Sequence, residues 1–276
     1  MVTTTGVSNA TGRLAGQVAV ITGGGSGIGR GIAAVFAKQG ARVVIWEKDA
    51  ESAEAVAAEV DGLAYVTDVR EPDHVDAALA RTVDEVGMPT ILVNNAGGVF
   101  KSPFLETSPK GWDSLIRSNL THVLLCTQRV AQTLVKHGQG GSIINISTIE
   151  GTRAAPGYAA YAAAKAGVIN FTKTVALELA PHNIRINGLA PDFTLTEGIE
   201  QMGTAESLQN AGLMIPLGRA GRVDEMAGAA LFLATDQSSY VTGQTIHVDG
   251  GTSAAGGWYH HPADGEYILG PPRATS

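Results

Sequence analysis

The chain predicts an α/β fold, a single doubly wound domain on a seven-stranded parallel sheet. Three observations predict it. Val18-Ala19-Val20-Ile21 is a short continuous apolar run, the pattern of a parallel strand covered on both faces, and it is the first of seven strand-like runs. Stretches with apolar residues at helical spacing lie between them, so strand and helix alternate along the chain. The first run leads straight into a glycine-rich turn that opens a helix, Thr22-Gly23-Gly24-Gly25-Ser26-Gly27-Ile28-Gly29.

In order, the first helix carries Ile28, Ile32, Val35 and Phe36 on one face and ends at Gly40. The second strand, Arg42-Val43-Val44-Ile45-Trp46, stops at Glu47. A helix over 50–60, a strand over 63–66 and the turn Thr67-Asp68-Val69 follow. Pro72 marks the start of the next helix, 73–86. Strand four, 90–93, leads into Asn94-Asn95-Ala96-Gly97, and a long helix is expected over about 109–136. Strand five, 142–146, is followed by an alanine-rich helix to about 180 and a sixth strand, 184–189. From 192 to 216 the pattern loosens; Ile199, Met202, Leu208, Leu213, Met214 and Ile215 suit a lid over a partly apolar pocket, or a surface helix pair. The last helix is expected at 224–234 and the last strand at 245–248. Residues 1–12 read as a flexible arm and 256–276 as a Gly/Pro-containing tail, with no linker or repeat dividing 1–276.

Composition excludes several functions. With 276 residues, 44% hydrophobic and 16% charged, the chain can bury a full core. A net charge of −7 and the lack of any basic run argue against nucleic acid. No long uncharged apolar stretch or leader-like start is visible, so no membrane association and a cytoplasmic location are expected. Cys126, the only cysteine, lies in an apolar helical run and reads as a buried thiol. The seven histidines are scattered apart from His260-His261, and no metal site is expected.

Two clusters carry chemistry. A strand, glycine turn and helix in that order let backbone N–H groups and a helix N-terminus approach a pyrophosphate. Glu47, at the end of the second strand, can accept hydrogen bonds from an adenosine ribose and repel a 2′-phosphate, which favours NAD over NADP. Lys48 pulls the other way, and a plain surface Glu-Lys pair also fits. Tyr161 and Lys165 lie four apart on one helix face. A phenol loses its proton near ~pH 10, and an adjacent ammonium is expected to lower that value and fit the tyrosine for proton exchange with an alcohol or ketone.

Together these motifs resemble the short-chain dehydrogenase/reductase family, over about 14–251. Thr22-Gly-Gly-Gly-Ser-Gly-Ile-Gly29 fits its coenzyme loop, Asp68-Val69 its adenine contact and Asn94-Asn95-Ala96-Gly97 its fourth-strand motif. Asn119 fits its helix asparagine, Tyr161 and Lys165 its catalytic pair, and Val241-Thr-Gly-Gln with Val248-Asp-Gly-Gly its carboxyl-terminal signature. The resemblance implies a Rossmann domain and hydride transfer between a carbinol carbon and a nicotinamide coenzyme. Tyr161 would move the hydroxyl proton, Lys165 would assist it and hold the nicotinamide ribose, and Asn119 would anchor a relay water through its helix-kink carbonyl. Gly23, Gly25, Ser26, Gly27, Ile28, Gly29, Glu47, Asp68, Val69, Asn95, Ala96, Gly97, Pro191, Thr194 and Thr196 are the expected coenzyme contacts, with Tyr161 and Lys165.

The hydroxyl that holds the substrate oxygen is either Ser147 or Thr148. Family spacing places it 13 residues before the tyrosine and three before a glycine, which selects Thr148, with Gly151 following. Consecutive strand-end residues also point to opposite sides, so only one can face Tyr161. Where the family usually has Pro-Gly after strand six this chain has Pro191-Asp192, a carboxylate near the nicotinamide end. The expected activity is NAD-linked oxidation or reduction of a small secondary alcohol or ketone in a homotetramer. The alternatives are an NADP-dependent 3-oxoacyl-type reductase and a coenzyme-binding regulator without turnover. Trp258 and Tyr259 in the tail are expected to pack at a subunit interface or active-site rim, the alternatives being packing on their own subunit and disorder.

Overall fold

The computed structural model describes residues 12–202 and 205–270. The elements run β1 (Val18–Thr22), α1 (Gly27–Lys38), β2 (Arg42–Glu47), α2 (Ala50–Glu59), β3 (Leu63–Val66), α3 (Pro72–Glu85) and β4 (Pro89–Asn94). Then come α4 (Pro109–Ile116), α5 (His122–Lys136), β5 (Gly141–Ile146), α6 (Ala159–Leu179) and β6 (Ile184–Pro191). They are followed by β7 (Thr194–Leu195), α7 (Glu197–Met202), α8 (Ala205–Met214), β8 (Gly221–Arg222), α9 (Val223–Ala234) and β9 (Thr245–Val248). A short α10 (Thr252–Ala255) and two strands, β10 (Trp258–His260) and β11 (Tyr267–Leu269), close the described chain.

Seven strands form one parallel sheet in the order β3-β2-β1-β4-β5-β6-β9, with helices on both faces. The apolar runs take this form because successive residues of each strand feed opposite cores. Ala19, Ile21, Val43 and Ile45 pack with Ile32 and Phe36 of α1 and Met226 and Leu233 of α9. Val18, Val20, Val44 and Trp46 pack on the other face with Val75 and Leu79 of α3 and Val130 and Leu134 of α5. A Cβ at Gly31 would collide with Val223, so glycine there sets how closely α1 approaches α9.

The strand order reverses between β1 and β4, which opens a crevice beyond their carboxyl ends. Buried polar side chains tie this region together. Thr22 Oγ1 accepts from the backbone N–H groups of Asn95 and Ala96, both at 3.0 Å. Asn94 Nδ2 donates to Asn145 Oδ1 at 2.8 Å, and Asn145 Nδ2 donates to Thr172 Oγ1 of α6 at 2.9 Å. Hydrogen bonds so far from water fix strand ends and helices in one register.

Three features differ from the sequence reading. The long helix expected over 109–136 is interrupted by a π-turn, Arg117–Thr121, with Asn119 buried at its centre. The loosened segment contains α7 and α8, and its β7 pairs with β8 in a separate two-stranded ribbon; the side chains of Met202 and Leu208 lie outside the described residues. The tail folds as the antiparallel hairpin β10-β11, closed by an edge-to-face contact of His260 and Tyr267 at 4.7 Å, with Trp258 48% exposed. Of the arm only Gly12 lies within the described residues, and residues 271–276 lie outside them.

Candidate active site and coenzyme cleft

The glycine turn is shaped by contacts that exclude side chains. Gly23 has φ +63°, and a Cβ there would stand 2.7 Å from the Ala96 Cα. Gly27 has φ +53°, a left-handed conformation that favours glycine. A Cβ at Gly29 would strike the Gly23 carbonyl oxygen, and one at Gly97 would stand 2.9 Å from Asn119 Oδ1. These clearances keep the floor of the crevice flat and its backbone close to any ligand, which fits the pyrophosphate of a dinucleotide.

Two cavities meet there. One, of about 340 Å³, is lined by Trp46, Glu47, Lys48, Asp68, Val69, Arg70 and the Ala96–Phe100 loop, the expected adenosine end. The Arg70 guanidinium holds the Asp68 carboxylate through its Nε at 2.8 Å and pulls its pKa down to about 2. Glu47 Oε1 accepts from the backbone N–H of Lys48 at 2.8 Å and of Asp49 at 3.2 Å, which fixes the carboxylate at the end of β2.

The other cavity, of about 520 Å³, runs from Gly23, Ser26, Gly27 and Ile28 past Asn95, Ala96 and Gly97 to Asn119, Thr148, Tyr161 and Lys165. Pro191, Thr194 and Thr196 line its far wall. The structure therefore brings most of the expected residues to one continuous cleft. Gly25 is the exception: it faces α2, where a Cβ would stand 2.5 Å from Ser52 Oγ. Gly29 acts from beneath, as packing under the turn.

Lys165 is buried, and its Nζ donates to the Ile146 carbonyl at 2.8 Å. Burial pushes its pKa down to about 8. Its Nζ stands 5.9 Å from the centre of the Tyr161 ring. The tyrosine departs from the sequence expectation: burial pushes the phenol up to about 12, the Thr148 hydroxyl pulls it partly back, and the Glu150 carboxylate raises it further. Desolvation decides the direction, because a buried phenolate loses hydration that its neighbours do not replace. Thr148 Oγ1 donates to the Pro191 carbonyl at 3.2 Å, whereas Ser147 Oγ turns the other way and donates to the Lys165 carbonyl at 3.1 Å. Asn119 Nδ2 donates to the carbonyls of Gly98 at 2.7 Å and Leu115 at 3.0 Å, which locks the π-turn to the β4 loop.

Three residues in or beside the cleft escaped the sequence reading. Glu197 Oε2 accepts from the Gly27 N–H at 3.1 Å, and its Oε1 accepts from Arg30 Nη1 at 3.1 Å. That carboxylate sits on the N-terminus of α1, and the amide hydrogen bonds lower its pKa. His122, fully buried beside the π-turn, has its pKa pushed down to about 3 by burial and by the Lys165 charge. Glu197 and Arg30 lie 167 positions apart, so no local pattern could pair them. Among the described residues no group of three or more His, Cys, Asp or Glu side chains converges for a metal, and no helix is long and apolar enough to cross a membrane.

Residues 23–253 match a family described as enoyl-(acyl carrier protein) reductase. With the Tyr161–Lys165 pair, the glycine turn and the sheet order, this identifies the protein's class: the chain belongs to the short-chain dehydrogenase/reductase family, NAD(P)-dependent oxidoreductases acting on CH–OH groups. It is 41% identical over 244 residues to the 3-oxoacyl-[acyl-carrier-protein] reductase FabG of Thermotoga maritima, covering 87% of this chain and 98% of that protein. A sorbitol dehydrogenase of Cereibacter sphaeroides is 36% identical over 251 residues, covering 87% and 98%. A crystal structure of a short-chain type dehydrogenase/reductase from Mycobacterium marinum is similar at TM-score 0.82 and 36% identity, covering 87% of this chain and 96% of that one.

Proposed function

We propose that this protein interconverts a ketone and a secondary alcohol, with Tyr161 as the proton-transferring group. The observation that carries this is the meeting of Tyr161, Thr148, Asn119 and Lys165 in the cavity that begins at the glycine turn. A bound nicotinamide coenzyme supplies or accepts the hydride. The chain's part is to hold the carbonyl or hydroxyl oxygen between Thr148 Oγ1 and Tyr161 Oη, so that the proton moves on the oxygen as the carbon changes oxidation state. Lys165 would hold the nicotinamide ribose and keep a positive charge behind the phenol. Hydrogen bonds donated to the phenol oxygen by a bound ligand would bring its pKa down from the value near 12.

Two readings of coenzyme and substrate remain, each with its own support. The names of several relatives favour reduction of a 3-oxoacyl-type ketone, and Lys48 and Arg70 beside Glu47 offer positive charge for the 2′-phosphate of NADP. The fixed carboxylate of Glu47 favours NAD and a secondary alcohol or ketone, and the sorbitol dehydrogenase relative is in keeping with a hydroxylated substrate. We extend the proposal to a homotetramer acting on a small molecule.

One experiment tests the reaction and separates the coenzymes: kcat/KM for a panel of secondary alcohols and ketones, 3-oxoacyl thioesters included, with NAD(H) and NADP(H), on wild type and Tyr161→Phe. Turnover that falls by ~10²-fold or more in Tyr161→Phe, with coenzyme binding kept, supports the role of the tyrosine. Undiminished turnover in the variant refutes it.

A further inference from the structure

We infer that Asp192 is a specificity-determining residue whose carboxylate accepts a hydrogen bond from a second hydroxyl of the substrate, beside the carbon that reacts. The inference rests on the alcohol/ketone reading above and deepens it.

The position comes from β6. Thr148 Oγ1 donates to the carbonyl of Pro191 at 3.2 Å, so residue 192 follows immediately beyond the hydroxyl that would hold the reacting oxygen. Asp192 lines the same cavity as Tyr161 and Thr148, with Phe193 next to it. Its side chain is only 13% exposed. A carboxylate so far out of water needs donors to replace those it has lost.

Among the described residues it has none. The nearest charged group is Arg153 Nη2 at 3.8 Å, which balances charge without making a hydrogen bond. The guanidinium is committed elsewhere: Nη2 donates to Glu150 Oε1 at 2.8 Å, and Nε donates to Glu150 Oε2 at 3.4 Å. Asp192 thus lines the cavity beside a guanidinium whose hydrogen bonds go to Glu150, and its carboxylate has acceptor capacity left over among the described residues.

A ligand that displaces water from this end of the cavity has to supply a donor in its place, and the chemistry of that donor can be narrowed. A carbonyl oxygen is repelled by a carboxylate, so Asp192 cannot hold the reacting ketone oxygen. The second oxygen of a 3-oxoacyl thioester is also a carbonyl, and the same repulsion applies. In the alcohol direction the reacting hydroxyl belongs to Tyr161 and Thr148. What remains is a further O–H next to the reacting carbon, as in a vicinal diol, a polyol or an α-hydroxyketone. The carboxamide of a nicotinamide coenzyme would be another neutral donor, and the test separates the two.

The test compares kcat/KM for butane-2,3-diol against butan-2-ol, and for cyclohexane-1,2-diol against cyclohexanol, in wild type, Asp192→Asn and Asp192→Gly. Coenzyme dissociation constants and melting temperatures are measured for each. Wild type is expected to prefer each diol by about tenfold or more, the scale of one hydrogen bond to a charged acceptor. Asp192→Gly should bring the diol-to-monohydric ratio near one, and Asp192→Asn, which keeps an uncharged acceptor oxygen in a side chain of the same shape, should lie between. A wild type without diol preference, or a ratio unmoved in Asp192→Gly, overturns the inference while leaving the alcohol/ketone reading intact. A coenzyme dissociation constant that rises in Asp192→Gly with the ratio unchanged assigns the carboxylate to the carboxamide and also overturns it. If wild type turns over none of these compounds, nor any other alcohol or ketone, with either coenzyme, the reading beneath it fails as well.

Discussion

Lys165 gives a prediction that can be measured before any substrate is known. The perturbation is Lys165→Met, which keeps the length of the side chain and removes its charge. In the fold the ammonium is buried, with the Ile146 carbonyl as its hydrogen-bond acceptor, and burial lowers its pKa from 10.5 to about 8. Unfolded, the same lysine titrates near the ordinary value. Between about pH 8 and 10.5 the unfolded chain therefore binds more protons than the folded one, and stability rises with pH across that window. The contribution is complete above 10.5 and is lost as pH falls through 8. From pH 7.5 to 9.5 the gain is about 2 kcal/mol, at about 1.4 kcal/mol for each unit of pKa difference.

For a chain of 276 residues, 2 kcal/mol moves the melting temperature by roughly 3 °C. The assay is thermal or urea unfolding of the coenzyme-free protein at both pH values, in wild type and Lys165→Met. Exposed lysines cancel in the difference, so the Lys165 contribution is the wild-type change minus that of the variant. Equal changes in the two proteins would refute the reasoning, because they would place Lys165 at an ordinary pKa in spite of its burial. The Tyr161 phenol, raised to about 12, acts with the opposite sign: it lowers stability as pH rises from about 10 towards 12, so the measurements stop below 10.

The remaining predictions concern the hydroxyl pair and the carboxylate on the glycine turn. Thr148→Val should lose ~10²-fold or more in kcat, the scale of deleting one positioned donor, and Thr148→Ser should stay active with altered substrate preference. Ser147→Ala should change kcat by far less, because Ser147 Oγ faces the Lys165 carbonyl; an inactive Ser147→Ala beside active Thr148 variants would invert the assignment. Glu197→Gln should bind coenzyme more tightly, by about threefold to tenfold, because a negative charge leaves the helix N-terminus that would receive the pyrophosphate on the proposed reading. Weaker binding in a titration of coenzyme fluorescence would show instead that Glu197 holds the cleft in its binding shape.

The sheet was legible where a parallel strand covered on both faces is a continuous apolar run, as in β1, β2 and β4. The glycine turn and the Tyr161–Lys165 spacing were legible because both depend on neighbours within one turn of chain. The π-turn at Asn119 was not: Arg-Ser-Asn-Leu-Thr carries no proline or glycine to mark a break, and the bulge is held by tertiary hydrogen bonds to Gly98. β7 and β8 escaped for a similar reason, since two-residue strands have no period to read. The hairpin β10-β11 lay hidden among glycines and prolines.

The direction of the Tyr161 shift shows why a motif leaves electrostatics open. Spacing told that an ammonium lies near the phenol, and it does, at 5.9 Å from the ring centre. It could not tell how much water the fold removes from that phenol, which depends on residues drawn from three strand ends and a loop. At such a distance, in a medium far less polar than water, the attraction of one charge is worth a few kcal/mol at most, and desolvation of a phenolate is of the same order. Small changes in the cleft therefore decide the sign. Burial favours the protonated form of Tyr161, and on the proposed reading a bound substrate oxygen, with the Thr148 hydroxyl on its other side, would supply the hydrogen bonding that lets the proton move. In that balance the reacting oxygen would itself be part of what tunes its acid or base.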